Sequence, residues 1–337
     1  MLRFKLVSLT LIFTLLLVAC SGTQADDTET LVLYSGRSES LVGPVIEQFS
    51  EATGIQVEVR YGSTSEMAAT ILEEGENSPA DIFFAQDPGG LGAVADAGLL
   101  APLPEDILNK VDGRFASPDG LWVGISGRAR VVVYNTETLS PEDLPDTLEG
   151  FTDPQWRGRI GLPPTNGSFQ TMVTGMRQVW GEEATRAWLE GILANEPVFY
   201  EKNTPTVAAV AAGEVEVGFV NHYYLYRFLA EEGEGFAARN YFLPSGGPGS
   251  LVMVAGAGRV ASGQNEDNAT RFLDFMLSTV AQQYFASTTY EYPLIEGVNV
   301  QSDLTPLAEL NAIDISLGEL ADLQGTVVIL QELGYLP

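Results

Sequence analysis

From residue 31 the chain alternates short apolar runs with longer stretches of helical spacing, and that alternation leaves it few folds. Residues 31–34 are an apolar run ending at Ser35 and Gly36. Leu41, Val42, Val45, Ile46 and Phe49 then recur at the three-and-four spacing of one helix face, which stops near Gly54. Ile55, Val57 and Val59 alternate with polar residues, as in a half-buried strand. A second helical stretch carries Met67, Ile71 and Leu72. Residues 80–85 read as a buried strand after Pro79, and 91–100 as another helix. This βαβαβ rhythm predicts a mostly parallel sheet covered by helices. Ligands of such sheets bind beyond the carboxyl ends of the strands, here the loops at 35–39, 62–65 and 86–90.

Residues 121–135 (LWVGISGRARVVVYN) form an extended stretch long enough to carry the chain from one domain to another. A strand near 160–162, helices over about 168–194 and a strand at 215–220 are expected next. That last strand runs straight into Asn221-His222-Tyr223-Tyr224-Leu225-Tyr226-Arg227, the start of a helix. Residues 251–255 are a second extended stretch, read as the return crossing, and the C-terminal part is helical. A chain of 337 residues with 45% hydrophobic content has room for two domains and a core.

The formal net charge is −28. Nucleic acid is therefore not an expected partner, because its recognition needs a basic footprint. The acidity is compatible with attracting a cation, and reads first as a solvated surface. The chain has one His and one Cys, which excludes Cys–His nucleophilic catalysis and zinc sites built from Cys or His. No nucleophile elbow, P-loop or dinucleotide fingerprint is found. An enzyme is not expected.

The N-terminus has the layout of a secretory signal. Arg3 and Lys5 precede an uncharged apolar run over residues 6–19, which is shorter than the roughly 20 residues that span a bilayer. Leu17-Val18-Ala19-Cys20 closes it and resembles the lipobox of bacterial lipoproteins, in which the cysteine is lipidated after cleavage. Cleavage would remove residues 1–19, and residues 20–29 would be the lipidated end and a polar tether. The mature protein is expected outside the cytoplasmic membrane, anchored through Cys20.

Tyr223 and Tyr224 are the sharpest local feature. Helix neighbours point about 100° apart, but at a strand-to-helix junction both rings can face one crevice. Two phenol oxygens suit a hard, highly charged cation, and phenolate is a ligand for ferric iron in haem proteins. Aromatic packing, or a stacking platform for an organic solute, would use the same residues. Arg37, Arg128 and Arg130 fall in cleft-side segments and could meet an anion or make surface ion pairs. Asn166, Gly167 and Ser168 open a helix whose free N–H groups could hold an anion.

The chain resembles the ferric-iron-binding proteins of bacterial ABC transporters. The matching stretches are Tyr34-Ser-Gly-Arg-Ser-Glu39, Ser78-Pro-Ala-Asp-Ile-Phe83, Ala97-Gly-Leu-Leu-Ala-Pro102, Ser126-Gly-Arg-Ala-Arg-Val-Val-Val-Tyr134, Trp156-Arg-Gly-Arg-Ile160, Asn221-His-Tyr-Tyr-Leu-Tyr226 and Glu291-Tyr-Pro-Leu294. The resemblance implies an α/β fold of the type II periplasmic-binding-protein kind, with two domains around a central mixed sheet each. The domains are expected at 30–128 with 253–305, and at 129–252 with 306–337. It implies Fe³⁺ as cargo on Tyr223 and Tyr224. Carbonate or phosphate would be a synergistic anion at Asn166, Gly167 and Ser168, with Asn203, Asn221 and Arg128 nearby. Its partners would be the permease and ATPase of an iron importer, and the chain would be a monomer. The family pattern is broken at Ser38, where many members have His, at Gln86, where some have an acid, and at Phe169, where others have Tyr. Tyr61 is then the candidate third phenolate, Arg37, Ser38 and Gln86 are cleft residues, and His222 should point away from the ion. The same fold with an oxyanion, polyamine or organic phosphate as cargo is the alternative.

Overall fold

The computed structural model describes residues 30–300, 304–313, 315 and 317–337. The export segment and Cys20 lie outside them. Eleven strands are present among the described residues: β1 (Leu31–Ser35), β2 (Val57–Tyr61), β3 (Ile82–Ala85), β4 (Leu100–Ala101), β5 (Val123–Asn135), β6 (Ile160–Leu162), β7 (Val198–Phe199), β8 (Val217–Asn221), β9 (Ala238–Tyr241), β10 (Val252–Val260) and β11 (Tyr292–Pro293). The α-helices are α1 (Glu39–Thr53), α2 (Thr64–Glu74), α3 (Pro88–Asp96), α4 (Glu105–Leu108), α5 (Gly167–Trp180), α6 (Glu182–Ala194), α7 (Asn203–Ala211), α8 (Tyr223–Glu232), α9 (Glu266–Met276), α10 (Thr279–Tyr284) and α11 (Leu323–Glu332).

The N-terminal third follows the expected rhythm. β1 lies between β2 and β3, parallel to both, and α1 and α2 make the crossovers. α1 buries Val42, Val45, Ile46 and Phe49 and stops at Gly54, whose φ of 76° suits glycine and whose N–H returns to the Ser50 carbonyl. α2 opens with a reciprocal capping box between Ser63 and Glu66. The helix expected over 91–100 is α3, which starts earlier and ends at Asp96. Pro88 favours the earlier start, and the turn at Gly98, φ 72°, frees residues 100–101 to join the sheet edge as β4.

β5 is the organising strand. Its 13 residues are all buried, and it changes partners midway. Residues 123–129 pair antiparallel with β10, which also pairs with β3. Residues 130–135 pair antiparallel with β8 and β9. The overall order is β2-β1-β3-β10-β5-β8-β6-β7, so each half of β5 belongs to its own mixed sheet.

Each sheet has its own packing. Leu33, Phe49, Phe83, Phe84, Trp122 and Phe272 belong to one core. In the second half of β5 the side chains alternate: Val132 and Tyr134 join Trp156, Phe169, Trp188 and Phe219, while Val131 and Val133 join Val207, Val220 and Leu225. The period-two alternation of a strand covered on both faces produces this split. The chain from 306 onward, expected to belong wholly to the second domain, is divided. Leu317 and Leu320 pack in the first core, and Ile329, Leu330 and Tyr335 in the second.

Candidate metal centre

The cavity lies where β5 changes sheets. Gln86 and Asp87 come from the turn between β3 and α3, Arg128 and Met253 from the paired strands β5 and β10. Asn166, Gly167, Ser168, Thr171, Asn203, Asn221, Tyr223 and Tyr224 complete a polar cavity of about 150 Å³. β8 delivers the tyrosines: it ends at Asn221, and α8 begins two residues on. The rings of Tyr223 and Tyr224 stack with centroids 4.3 Å apart and planes 28° apart. Adjacent residues thus present two phenols to one space, as the junction argument requires. Burial, and then the neighbouring Tyr224, pushes the Tyr223 phenol upward, while Arg128 pulls it down; the result is a phenol that keeps its proton at neutral pH until something replaces it.

Four guanidiniums stand around the tyrosines: Arg227 lies 5.7 and 5.9 Å from their ring centroids, and Arg37, Arg128 and Arg130 are each at most 2% exposed. Arg37 is committed: its Nη1 and Nη2 donate to the two carboxylate oxygens of Glu291 at 2.9 and 2.8 Å. Ser126 and Thr289 also donate to Glu291, at 3.0 and 3.1 Å. Arg128 reaches the carbonyls of Gln86 and Val254. Arg130 donates to Ser168 Oγ at 3.1 Å and Asn221 Oδ1 at 3.0 Å, and its Nε and Nη2 are buried without a partner. Burial lowers its pKa to about 9, against the pull of the two tyrosines. Neither Arg128 nor Arg130 forms an ion pair with a described carboxylate of the chain. Asp87, at the cavity wall, is pushed up by burial and drawn down by Arg128 and the amides of Gly89 and Gly90. The site therefore carries a buried positive excess that wants an anionic occupant.

The second wall is a helix start. Asn166 caps α5, its Oδ1 accepting from the Ser168 amide at 3.0 Å and the Ser168 hydroxyl at 2.6 Å. Asn203 Nδ2 donates to the same oxygen at 3.1 Å, and Asn203 Oδ1 is buried without a partner. Anions are favoured at such a terminus by its N–H groups and dipole.

Nine of the residues singled out from the sequence meet here: Tyr223, Tyr224, Gln86, Arg128, Asn166, Gly167, Ser168, Asn203 and Asn221. Arg37 stands behind the tyrosines, held by Glu291, and is not a free anion contact. Ser38 is exposed in front of α1, its Oγ 3.3 Å from that of Ser40. Tyr61 does not line the cavity. It shares the inward face of β2 with Val57 and Val59 and packs on the first core; strand parity puts it there, and its phenol is pushed up by burial and by Glu39 of α1. His222 points away: its buried ring accepts the Ala129 N–H at Nδ1 and bonds the Tyr290 carbonyl through Nε2. Burial lowers its pKa to about 4. Asp87, Thr171 and Met253 were missed. Asp87 could have been found, since Asp-Pro after a buried strand is a helix start at the sheet's ligand edge.

Two α/β domains sharing one strand, with a polar cavity at the crossing, define a solute-binding receptor. Residues 77–315 match the family described as bacterial extracellular solute-binding protein, and the chain belongs to that family, whose members are solute-binding transport proteins and not enzymes. It is 34% identical over 324 residues to the major ferric iron-binding protein of Neisseria meningitidis serogroup B, covering 94% of this chain and 96% of that one. It is 31% identical over 323 residues to the Fe(3+)-binding periplasmic protein of Serratia marcescens, covering 95% of each. Among solved structures, iron-bound HitA from Pseudomonas aeruginosa is 34% identical with a TM-score of 0.84, covering 90% of this chain and 99% of that one. A Trichodesmium protein in complex with iron and citrate is 28% identical with a TM-score of 0.81, covering 91% and 100%. The fold is that of the type II periplasmic binding proteins.

Proposed function

We propose that the protein captures ferric iron between its domains and delivers it to the permease and ATPase of an ABC importer. The observation that carries this is the stacked pair Tyr223 and Tyr224 on the wall of a polar cavity, with Arg128 in its lining and Arg130 held against its Ser168 and Asn221, neither arginine in an ion pair. Fe³⁺ displaces the phenol protons, and the two phenolates become hard oxygen ligands that the buried guanidiniums stabilise. An anion, carbonate or phosphate, sits against Asn166, Gly167 and Ser168 with Arg128 and Arg130 beside it, completes the coordination and neutralises the remaining charge. Asp87 offers an oxygen from the opposite wall, and Tyr61 takes no part in this arrangement.

Closure swings the first domain, 30–128 with 253–305, onto the second, 129–252, about the shared strand β5, and buries the ion. The C-terminal segment, which touches both cores, follows the hinge. The protein works outside the cytoplasmic membrane as a monomer. A lipid on Cys20 would keep it near its permease at high effective concentration. A polyamine cargo is disfavoured by the unpaired charges of Arg128 and Arg130; an oxyanion or organic phosphate is the reading that competes.

The deciding experiment is titration with ferric citrate. A phenolate-to-iron charge-transfer band in the visible should grow in the parent protein and be absent from the double variant Tyr223→Phe/Tyr224→Phe. A double variant that binds iron as tightly as the parent would sink the assignment.

A further inference from the structure

His222 is the chain's one histidine, and it joins parts that belong to different sheets. Its backbone N–H donates to the Ala129 carbonyl at 3.0 Å, and the Ala129 N–H returns a bond to Nδ1 at 3.2 Å. Ala129 is the residue at which β5 leaves the partners of the first sheet for those of the second. With Nδ1 accepting, Nε2 carries the proton and donates to the Tyr290 carbonyl at 2.8 Å. Tyr290 belongs to the first body. The strand just after it, β11, pairs with β5 at Gly127 and Ser126, and the next residue, Glu291, grips Arg37. Tyr290 itself is left-handed at φ 59°, an uncommon state for an aromatic residue.

Rings close the space around this link. Tyr292 lies 4.6 Å from the imidazole, and Tyr226 of α8 stacks on Tyr290 at 5.9 Å. The first turn of α8 grows from the second sheet, yet His222 and Tyr226 fasten it to a segment of the first. Points close to a hinge axis move least when two bodies rotate about it, so whatever sits there keeps its geometry in the open and closed states.

We propose that His222 is a positioning residue for metal capture. Its Nε2–H bond to Tyr290 fixes the rotation of the first turn of α8 and keeps Tyr223 and Tyr224 at the pivot, aimed at one point whether the domains are open or closed. The inference rests on the ferric reading of the tyrosine pair. A rigid ring with an acceptor and a donor on opposite sides suits the task. Asn can replace the acceptor at the Nδ1 position but not the donor, and Gln can replace the donor at the Nε2 position but not the acceptor.

The test compares His222→Asn with His222→Gln in the full soluble chain by two readouts. The first is the visible band and the affinity for Fe³⁺ supplied as ferric citrate. The second, which needs no metal, is hydrogen exchange at the amides of residues 223–227. The Asn variant should bind iron about tenfold more weakly with a shifted or weakened band, and exchange these amides about tenfold faster. The Gln variant should stay within about twofold of the parent on both. Equal losses in the two variants would reduce His222 to a packing residue and overturn the proposal, as would an Asn variant that matches the parent. A parent that shows no band fails the ferric reading, while the exchange comparison still judges the clamp.

Discussion

Replacing Glu291 by Gln tests the electrostatic frame behind the tyrosines. Glu291 is 1% exposed and accepts four hydrogen bonds, two from Arg37, one from Ser126 and one from Thr289. Burial alone would raise its pKa, but Arg37, then Arg128 and Ser126, hold it below the usual carboxylate range. The substitution keeps the shape, removes the charge and turns an amide donor toward the guanidinium. Arg37, fully buried, is left uncompensated. Breaking a buried pair from one side costs about 3–5 kcal/mol. At about 2–4 °C per kcal/mol for a domain of 150–250 residues, the melting point should fall by about 6–20 °C. Calorimetry at pH 7 reads this directly. The double variant Arg37→Met/Glu291→Leu should recover most of the loss, because no unpaired charge remains. It should stay about 1 kcal/mol short, since Ser126 loses its acceptor, whereas Thr289 keeps the Phe285 carbonyl. The depressed folded pKa of Glu291 also fixes the sign of its pH dependence. Its contribution is present above the unfolded carboxylate pKa and is lost as pH falls through the folded value. A Glu291→Gln protein that melts within a degree or two of the parent would refute the reasoning.

Other outcomes are as specific. Ferric affinity should rise with pH, by up to about two decades per unit if both phenols lose protons on loading, and competition titrations at several pH values check this; a flat profile would argue against phenolate ligands. Asn166→Ala removes the cap of α5 and should lower stability by about 1 kcal/mol in a denaturant melt. It should also weaken iron binding more when carbonate or phosphate is present than when both are left out. Gly36→Ala would place a Cβ 2.4 Å from Thr64 Oγ1 and 2.7 Å from Thr64 Cα. Because that oxygen accepts the Gln86 N–H at 2.9 Å, the change should cost about 1–3 kcal/mol and loosen the loop carrying Gln86 and Asp87, seen as faster amide exchange there.

The parts of the fold legible in the sequence are those set by local pattern. Local spacing located β1, α1, β2 and α2 within a few residues, and the long extended stretch at 121–135 pointed to a strand passing from one domain to the other, as β5 does. The tyrosine pair was legible because a strand flowed into a helix without a turn signal between them. What escaped depends on pairing across the chain. Nothing near Arg37 announces Glu291, and nothing near His222 announces Tyr290. Tyr61 was read as a third phenolate because a phenol at a strand's carboxyl end looks like a ligand until its parity with Val57 and Val59 is followed. The division of the C-terminal segment between two cores escaped because both cores want the same kind of leucine.

The shared strand also dictates an order of events. The first sheet needs β10 beside β3 and β5, yet β10 follows every strand of the second sheet in the chain. During synthesis the N-terminal strands must therefore wait, unsealed, until residues 252–260 emerge. Such late, long-range pairing folds slowly, so the first sheet is the last to close although its strands are the first made.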